Sequence, residues 1–379
     1  MNKKVGIITL WGTPVNYGQI LQAFALSKYI QSIGFETFVL RYKDENIKSY
    51  DSWYKKFKRI ITGEKSIRAI IKRYTCQHEQ TANRGFKEFG LKNLNFTEKI
   101  YGSLKELQNN YPYADYYVTG SDQVWGAYGT IESKRVYLLD FLPSDIMRIS
   151  YAASFGRNQL DDDEKNVFQS ALNKFKAIRV REESGCEICR DLNINNCEWV
   201  SDPTLLLTKK KWFELLKIDS IQTEEKIALF YILTNDENNK KIYQIAKYLK
   251  SNGYTIKYVS SSYYLDKKAN FNPTIEEWLS TVDSASLVIT NSYHGTIFSL
   301  ICNTPFFFLS KSNTNEGQNS RLYSVLQKSG LTERIINAYN IKDINNRISN
   351  KIDWDFVNNH LGEQRNQSVD FLNKALNIQ

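Results

Sequence analysis

Apolar residues fall along the chain in two series of short blocks. Residues 4–10 (KVGIITL) read as a buried strand, and residues 11–18 (WGTPVNYG) as the glycine-bearing loop after it. Residues 19–33 show helical spacing, with Ile20, Leu21, Phe24, Tyr29 and Ile33 on one face. Gly34 ends that helix, and residues 35–42 (FETFVLRY) are a second strand. This βαβ unit predicts a parallel sheet with right-handed crossovers. Strand patterns return at residues 115–119, 148–152, 177–180 and 198–201, with helical patterns between several of them. Asp202-Pro203 reads as a stop, and Lys209 to Trp212 as the opening of a short polar helix. A second series begins at Lys226. Strands are predicted at 227–233, 255–260, 287–290 and 306–309, and helices at 240–252, 273–284 and 296–302. A last helix runs over about 353–376.

The two series predict two Rossmann-like domains facing a cleft. The first spans 1–205 with a helical insertion over about 45–100, and a polar connection follows at 206–223. The second spans 224–345, and the helix of 346–379 packs back on either one.

Composition agrees with a globular chain. The 379 residues are 42% hydrophobic and 24% charged, with 18 Gly and 6 Pro, ample for two cores and unlike a linker or collagen chain. Mean hydropathy is −0.47, and no apolar run approaches the ~20 residues that span a bilayer. The apolar stretch of residues 5–10 is too short for a signal-peptide core of about 7–15 residues. A cytoplasmic location is therefore expected. Five scattered Cys are no disulfide framework. Cys186 and Cys189, with Cys197 after them, lack a second ligand pair, so half-buried packing is expected rather than zinc, and Cys302 is expected in a core.

The net charge of +9 is concentrated: residues 48–73 carry nine Lys/Arg against Asp51 and Glu64, or +7, leaving +2 elsewhere. No nucleic-acid motif accompanies it, so no nucleic-acid partner is expected. Trp53, Tyr54, Phe57 and several isoleucines lie between the charges at helical spacing. Such a helix covers a sheet, and it also suits the inner face of a membrane bearing anionic lipid.

In parallel α/β sheets ligands bind at the carboxyl ends of strands, where helix N-termini offer free N–H groups. Three turns there carry chemistry. The first, with Asn16, Tyr17 and Gly18, is an anion cradle or simply a turn that needs Gly12 and Gly18 for backbone freedom. It lacks both G-x-G-x-x-G and the P-loop lysine. The second is 118–125 (VTGSDQVW). Asp122 is an acid/base or a helix cap, and Gln123 and Trp125, beside Ser121, look like a sugar-binding lip. The third is 290–296 (TNSYHGT). His294 is one of three histidines; His78 lies by the basic stretch and His360 on the last helix. Placed between a buried strand and a helix, His294 can trade protons near neutral pH. Arg181, at a further strand end, suits a carboxylate or phosphate, or else pairs with Glu182 or Glu183. Arg321, after Ser320, is a weaker case.

Together these segments resemble the polysaccharide pyruvyl transferase family. The resemblance runs in order through NYGQILQAFAL (16–26), VTGSDQVW (118–125), SYAASFG (150–156), VREESG (180–185), SDPTLLL (201–207), EEWLSTVDSASLVITNSYHGTIFSL (276–300) and NSRLYSVLQKSGL (319–331). It implies a GT-B-like α/β fold, two Rossmann-type domains with parallel sheets facing a cleft. It implies transfer of the pyruvyl group of phosphoenolpyruvate onto a sugar diol, with release of phosphate and no metal or other cofactor. The acceptor would be nucleotide-linked or lipid-linked. On this resemblance His294 is acid/base or phosphate ligand, Arg181 clamps the donor, and Asp122 and Gln123 orient the acceptor or relay a proton. Asn16, Tyr17, Gly18, Ser121, Gln123, Trp125, Ser292, Tyr293, Gly295, Thr296, Ser320 and Arg321 surround the substrates. Many members carry Arg-Leu before the histidine, where this chain has Ser292-Tyr293, and Arg321 is the candidate replacement. A nucleotide-sugar glycosyltransferase of the same architecture is the alternative.

Overall fold

A computed structural model describes residues 2–12, 16–44, 84–127, 129–221, 223–233, 239–260, 269–310, 320–337 and 339–377, without the side chains of 239, 320 and 321. The basic stretch 48–73 and His78 lie outside the described residues.

The first series builds one parallel sheet. Strands β1 (Lys4–Ile8), β2 (Glu36–Val39), β3 (Tyr116–Thr119) and β4 (Met147–Ser150) stand in the order β2-β1-β3-β4. Bridges Ile149↔Ala177 and Ala153↔Val180 extend it to the parallel pair β5 (Ile178–Val180) and β6 (Cys197–Trp199). The second series builds β7 (Ile227–Ile232), β8 (Thr255–Ser260), β9 (Leu287–Thr290), β10 (Phe306–Ser310) and β11 (Ile335–Asn337), ordered β11-β10-β9-β7-β8. Every pairing is parallel. Strands β3, β7, β9 and β10 are buried along their whole length, as apolar strands covered on both faces must be. Each sheet reverses its winding beside its first strand, between β1 and β3 and between β7 and β9. Ligand crevices form at such reversals, outside the carboxyl ends of the strands.

Thirteen α-helices cover these sheets among the described residues. In chain order they are α1 (Tyr17–Ser32), α2 (Phe86–Asn93), α3 (Leu104–Asn109), α4 (Ile131–Tyr137), α5 (Asp162–Leu172), α6 (Glu183–Asp191), α7 (Lys209–Leu216), α8 (Asn239–Ser251), α9 (Ile275–Ser284), α10 (Tyr293–Cys302), α11 (Ser320–Lys328), α12 (Ile341–Arg347) and α13 (Trp354–Ala375).

Within the predicted polar connection of 206–223, the part up to Leu216 is packed rather than polar, and the described residues after it are mostly exposed. Helix α7 turns Trp212 and Phe213 into the core, and the Trp212 indole N–H donates to the Thr204 carbonyl at 3.0 Å. The Trp212 ring lies 5.5 Å from Phe24 of α1 and 5.2 Å from Phe298 of α10. Tyr17 stacks on Trp278 of α9 at 4.9 Å, and its hydroxyl donates to the Pro273 carbonyl at 2.6 Å. Aromatic residues of both series thus form one continuous core across the back of the cleft.

Helix α13 returns to the first sheet. Its Arg365 donates to the Leu205 carbonyl at 2.8 Å, Asn373 accepts from the Tyr29 hydroxyl at 3.3 Å, and Phe371 stacks on Tyr151. No described helix is long and apolar enough to cross a membrane.

Candidate active site

Four loops at the carboxyl ends of strands meet between the two sheets. The loop after β3 supplies Asp122 and Gln123, and the residue after β5 is Arg181. The residue after β7 is Leu233, and the β9–α10 turn supplies Asn291 to His294. With Asn16 at the cap of α1, they line a cleft of about 180 Å³.

Helix α10 begins at Tyr293, three residues before the predicted start. Ser292 explains the shift: in extended conformation, its hydroxyl accepts the Gly295 amide at 3.2 Å and caps the helix. His294 therefore sits in the first turn. Its Nε2 faces the Asp202 carboxylate, 3.4 Å from Oδ2. The same oxygen receives Arg181 Nη1 at 2.9 Å and the Ser121 hydroxyl at 2.9 Å. The other oxygen, Oδ1, accepts the Thr204 amide and hydroxyl at 3.0 and 2.8 Å. A guanidinium from one domain and an imidazole from the other thus rest on one buried carboxylate.

Arg181 does not pair with Glu182 or Glu183 at the surface. It is 1% exposed, with Nη2 at 3.5 Å from Asp122 Oδ1 and its guanidinium over the Tyr293 ring at 4.9 Å. Its Nε and Nη2 are buried without a hydrogen-bond partner among the described residues, as is His294 Nε2. Glu182 turns inward, accepting from Ser154, Phe155 and Gly156.

Burial would raise the Asp202 carboxyl. His294 and Arg181 outweigh it and hold the group far below the usual carboxylate range. Burial opposes the Arg181 charge in turn, but Asp202 and Asp122 hold that charge more firmly than in water.

Asp122 does not cap a helix. It stands at φ 75, in the left-handed region that non-glycine residues seldom adopt. Its carboxylate accepts the Gln123 amide at 2.9 Å and Gln19 Nε2 at 3.4 Å. Strain held at such a point marks residues whose placement matters.

Several of the expected substrate contacts lie elsewhere. Trp125 is no lip: it is fully buried against Phe155, Phe168 and Phe175, with its N–H on the Tyr137 carbonyl. Tyr17 belongs to the interdomain core, and Thr296 is buried with its hydroxyl on the Ser292 carbonyl. Ser121 lies behind Arg181 rather than on the cleft wall. Gly295 is buried, and a Cβ there would come within 2.5 Å of the Thr290 hydroxyl. Gly18 is needed for space rather than for a turn. It is helical, and a Cβ on it would stand 2.1 Å from the His294 ring. Gly12 has open space around it. Ser320 and Arg321 open α11, with side chains outside the described residues. Asn16, Gln123, Ser292 and Tyr293 do line the cleft. Asp202 is the residue that sequence reasoning missed. Its one signal is its place in SDPTLLL, among the segments that carry the resemblance.

Among the described cysteines, Cys186 and Cys302 lie as expected, whereas Cys189, expected half-buried, is wholly buried; Cys76 lies outside the described residues. Cys189 and Cys302 are buried, and the sulfurs of half-buried Cys186 and Cys197 lie 3.8 Å apart. Among the described residues no group of three or more His, Cys, Asp or Glu could hold a metal.

Comparison with solved structures gives the architecture at very low identity. The UDP-N-acetylglucosamine 2-epimerase of Rickettsia bellii superposes with a TM-score of 0.54 over 100% of both chains at 11% identity. MnaA of S. aureus, solved with UDP, gives 0.54 at 10% identity, over 100% of this chain and 98% of that one. The UDP-GlcNAc 2-epimerase of Neisseria meningitidis, bound to UDP-GlcNAc, gives 0.52 at 8% identity, over 99% and 100%. The fold is GT-B-like, as expected. No curated protein matches the chain significantly. The model of the family described as polysaccharide pyruvyl transferase matches residues 16–313, most of the chain, and the chain belongs to that family.

Proposed function

We propose that the protein transfers the pyruvyl group of phosphoenolpyruvate onto two hydroxyls of a sugar, forming a ketal. The observation that carries this reading is the convergence of Arg181 and His294 on Asp202 in a cleft of about 180 Å³. That volume lies below the usual 300–1,000 Å³ of drug-sized sites and favours a small donor over a nucleotide sugar. The donor carries a carboxylate and a phosphate, and Arg181, on the cleft wall, holds Nε without a hydrogen-bond partner and Nη2 bound only by its ion pair with Asp122 among the described residues.

The proton count assigns the remaining roles. Carbon 3 of the donor gains a proton, and the two hydroxyls lose two as they bond to carbon 2. The carbon–oxygen bond to phosphate breaks, and the second proton leaves with the phosphate. With Nε2 turned to Asp202, Nδ1 is the His294 nitrogen left to trade a proton. Asp122, held near Arg181 and reached by Gln19, receives a hydroxyl proton.

Calorimetric titration tests the donor site. Phosphoenolpyruvate is expected to bind the wild type and to bind Arg181→Lys at least tenfold more weakly, since lysine lacks the planar fork. Binding of UDP in place of phosphoenolpyruvate overturns the reading in favour of a nucleotide-sugar enzyme.

A further inference from the structure

Beside the donor cleft lies a second, larger chamber of about 540 Å³, at the carboxyl ends of β1, β2 and β3. Trp11, Gln19, Tyr42, Asp44, Gln123 and Tyr137 are among its walls. Gln123 lines both chambers, and Asp122, next to it, lines the smaller. Gln19, from the larger side, donates to the Asp122 carboxylate at 3.4 Å. The Asp122-Gln123 pair is thus the partition between the two spaces. It is firmly set: a Cβ on Gly156, at φ +60, would come within 2.8 Å of the Gln123 amide.

The chamber has the size of a small-molecule site and mixes aromatic faces with a few polar groups. Tyr42 and Tyr137 meet edge to face at 5.8 Å. Tyr42 is 5% exposed, yet its hydroxyl has no hydrogen-bond partner among the described residues. A buried hydroxyl in that state needs a partner, and a ligand group in the chamber that Tyr42 lines would supply one. Asp44, 7% exposed, accepts from the Thr130 hydroxyl at 3.0 Å and brings a carboxylate to the same wall. A pyranose ring has this mixed character. Its C–H face packs on aromatic rings, and its hydroxyls donate to carboxylate and amide oxygens and accept from a phenol.

We infer that the acceptor binds here, as a pyranose whose paired hydroxyls reach the donor cleft over the Asp122-Gln123 partition. This rests on the proposed pyruvyl transfer. The expected lip of Gln123 and Trp125 thereby keeps Gln123 and takes Trp11 as its tryptophan.

The test uses the full-length protein and an equimolar panel of methyl glycosides of glucose, galactose, mannose, N-acetylglucosamine and N-acetylmannosamine. Saturation-transfer NMR reads their binding, and calorimetry reads phosphoenolpyruvate binding in parallel. At least one glycoside is expected to bind the wild type. Tyr42→Phe and Asp44→Asn should weaken it about three- to tenfold, the worth of one hydrogen bond. Phosphoenolpyruvate affinity should stay within about twofold in both variants. Tyr42→Phe should leave the melting temperature unchanged or raised, because it removes an unpaired buried group; a lowered one would mean a structural hydroxyl and overturn the assignment. Absence of glycoside binding, or binding that ignores both substitutions, also overturns it, while donor binding leaves the transfer reading intact. Glycoside binding that responds to the variants, without donor binding, sinks the transfer reading and keeps the sugar site.

Discussion

At the scale of single residues, the carboxylate buried behind the cleft contributes to how the protein answers to acid. Asp202 is held far below its ordinary value by His294 and Arg181. Its contribution to stability is complete above the unfolded carboxyl value of about 3.9. As pH falls below that, the unfolded chain takes up the proton first, and the contribution is lost towards the folded value. Asp202→Asn should remove this dependence. Its urea midpoint should fall less steeply than that of the wild type between about pH 5 and pH 3. At pH 7 the variant should be less stable by about 3 kcal/mol, because Arg181 is left buried beside a neutral amide. An unchanged acid limb would count against this role. His294 and Arg181 are legible in the sequence because each follows a buried strand. Asp202 is not, since Asp-Pro reads as a turn and its partners Arg181 and Ser121 lie 21 and 81 residues away. No periodicity encodes such a meeting.

At the scale of elements, the first turn of α1 is built around the imidazole of α10. A Cβ on Gly18 would stand 2.1 Å from the His294 ring, against its Nδ1. Helix propensity alone favours alanine over glycine by about 1 kcal/mol. The contact forecasts the opposite. Gly18→Ala should fail to raise the melting temperature and, on the proposed transfer, should lower phosphate release from phosphoenolpyruvate about 10²-fold, because the ring must move. A stabilised and fully active variant would refute this packing. The longer elements are legible from their spacing: β1, α1, β7 and α10 bury their apolar residues as the pattern predicts. Helix α7 is misread because its opening lysines conceal Trp212 and Phe213, whose partners on α1 and α10 are remote in sequence. Strand β11 and helix α12 are missed because three and seven residues carry too little periodicity.

At the scale of the whole molecule, the aromatic core behind the cleft joins the two sheets and leaves them little freedom to swing apart. Interdomain motion is the usual default unless the interface is large and apolar, as it is here. Helix α13 carries the same logic to the end of the chain. Leu372 is fully buried, and Phe371 lies over Tyr151 with the Arg179 guanidinium 4.4 Å from its ring. These partners are made well before the helix that covers them. Vectorial folding of the leading half, the ordinary course in synthesis, is thereby held open until that helix has emerged. A nascent chain stalled before residue 354 should be nicked by protease within the leading sheet, whereas the released protein resists; equal resistance of the two would refute it. A late frameshift would therefore leave the cleft residues encoded and still deny them a finished scaffold.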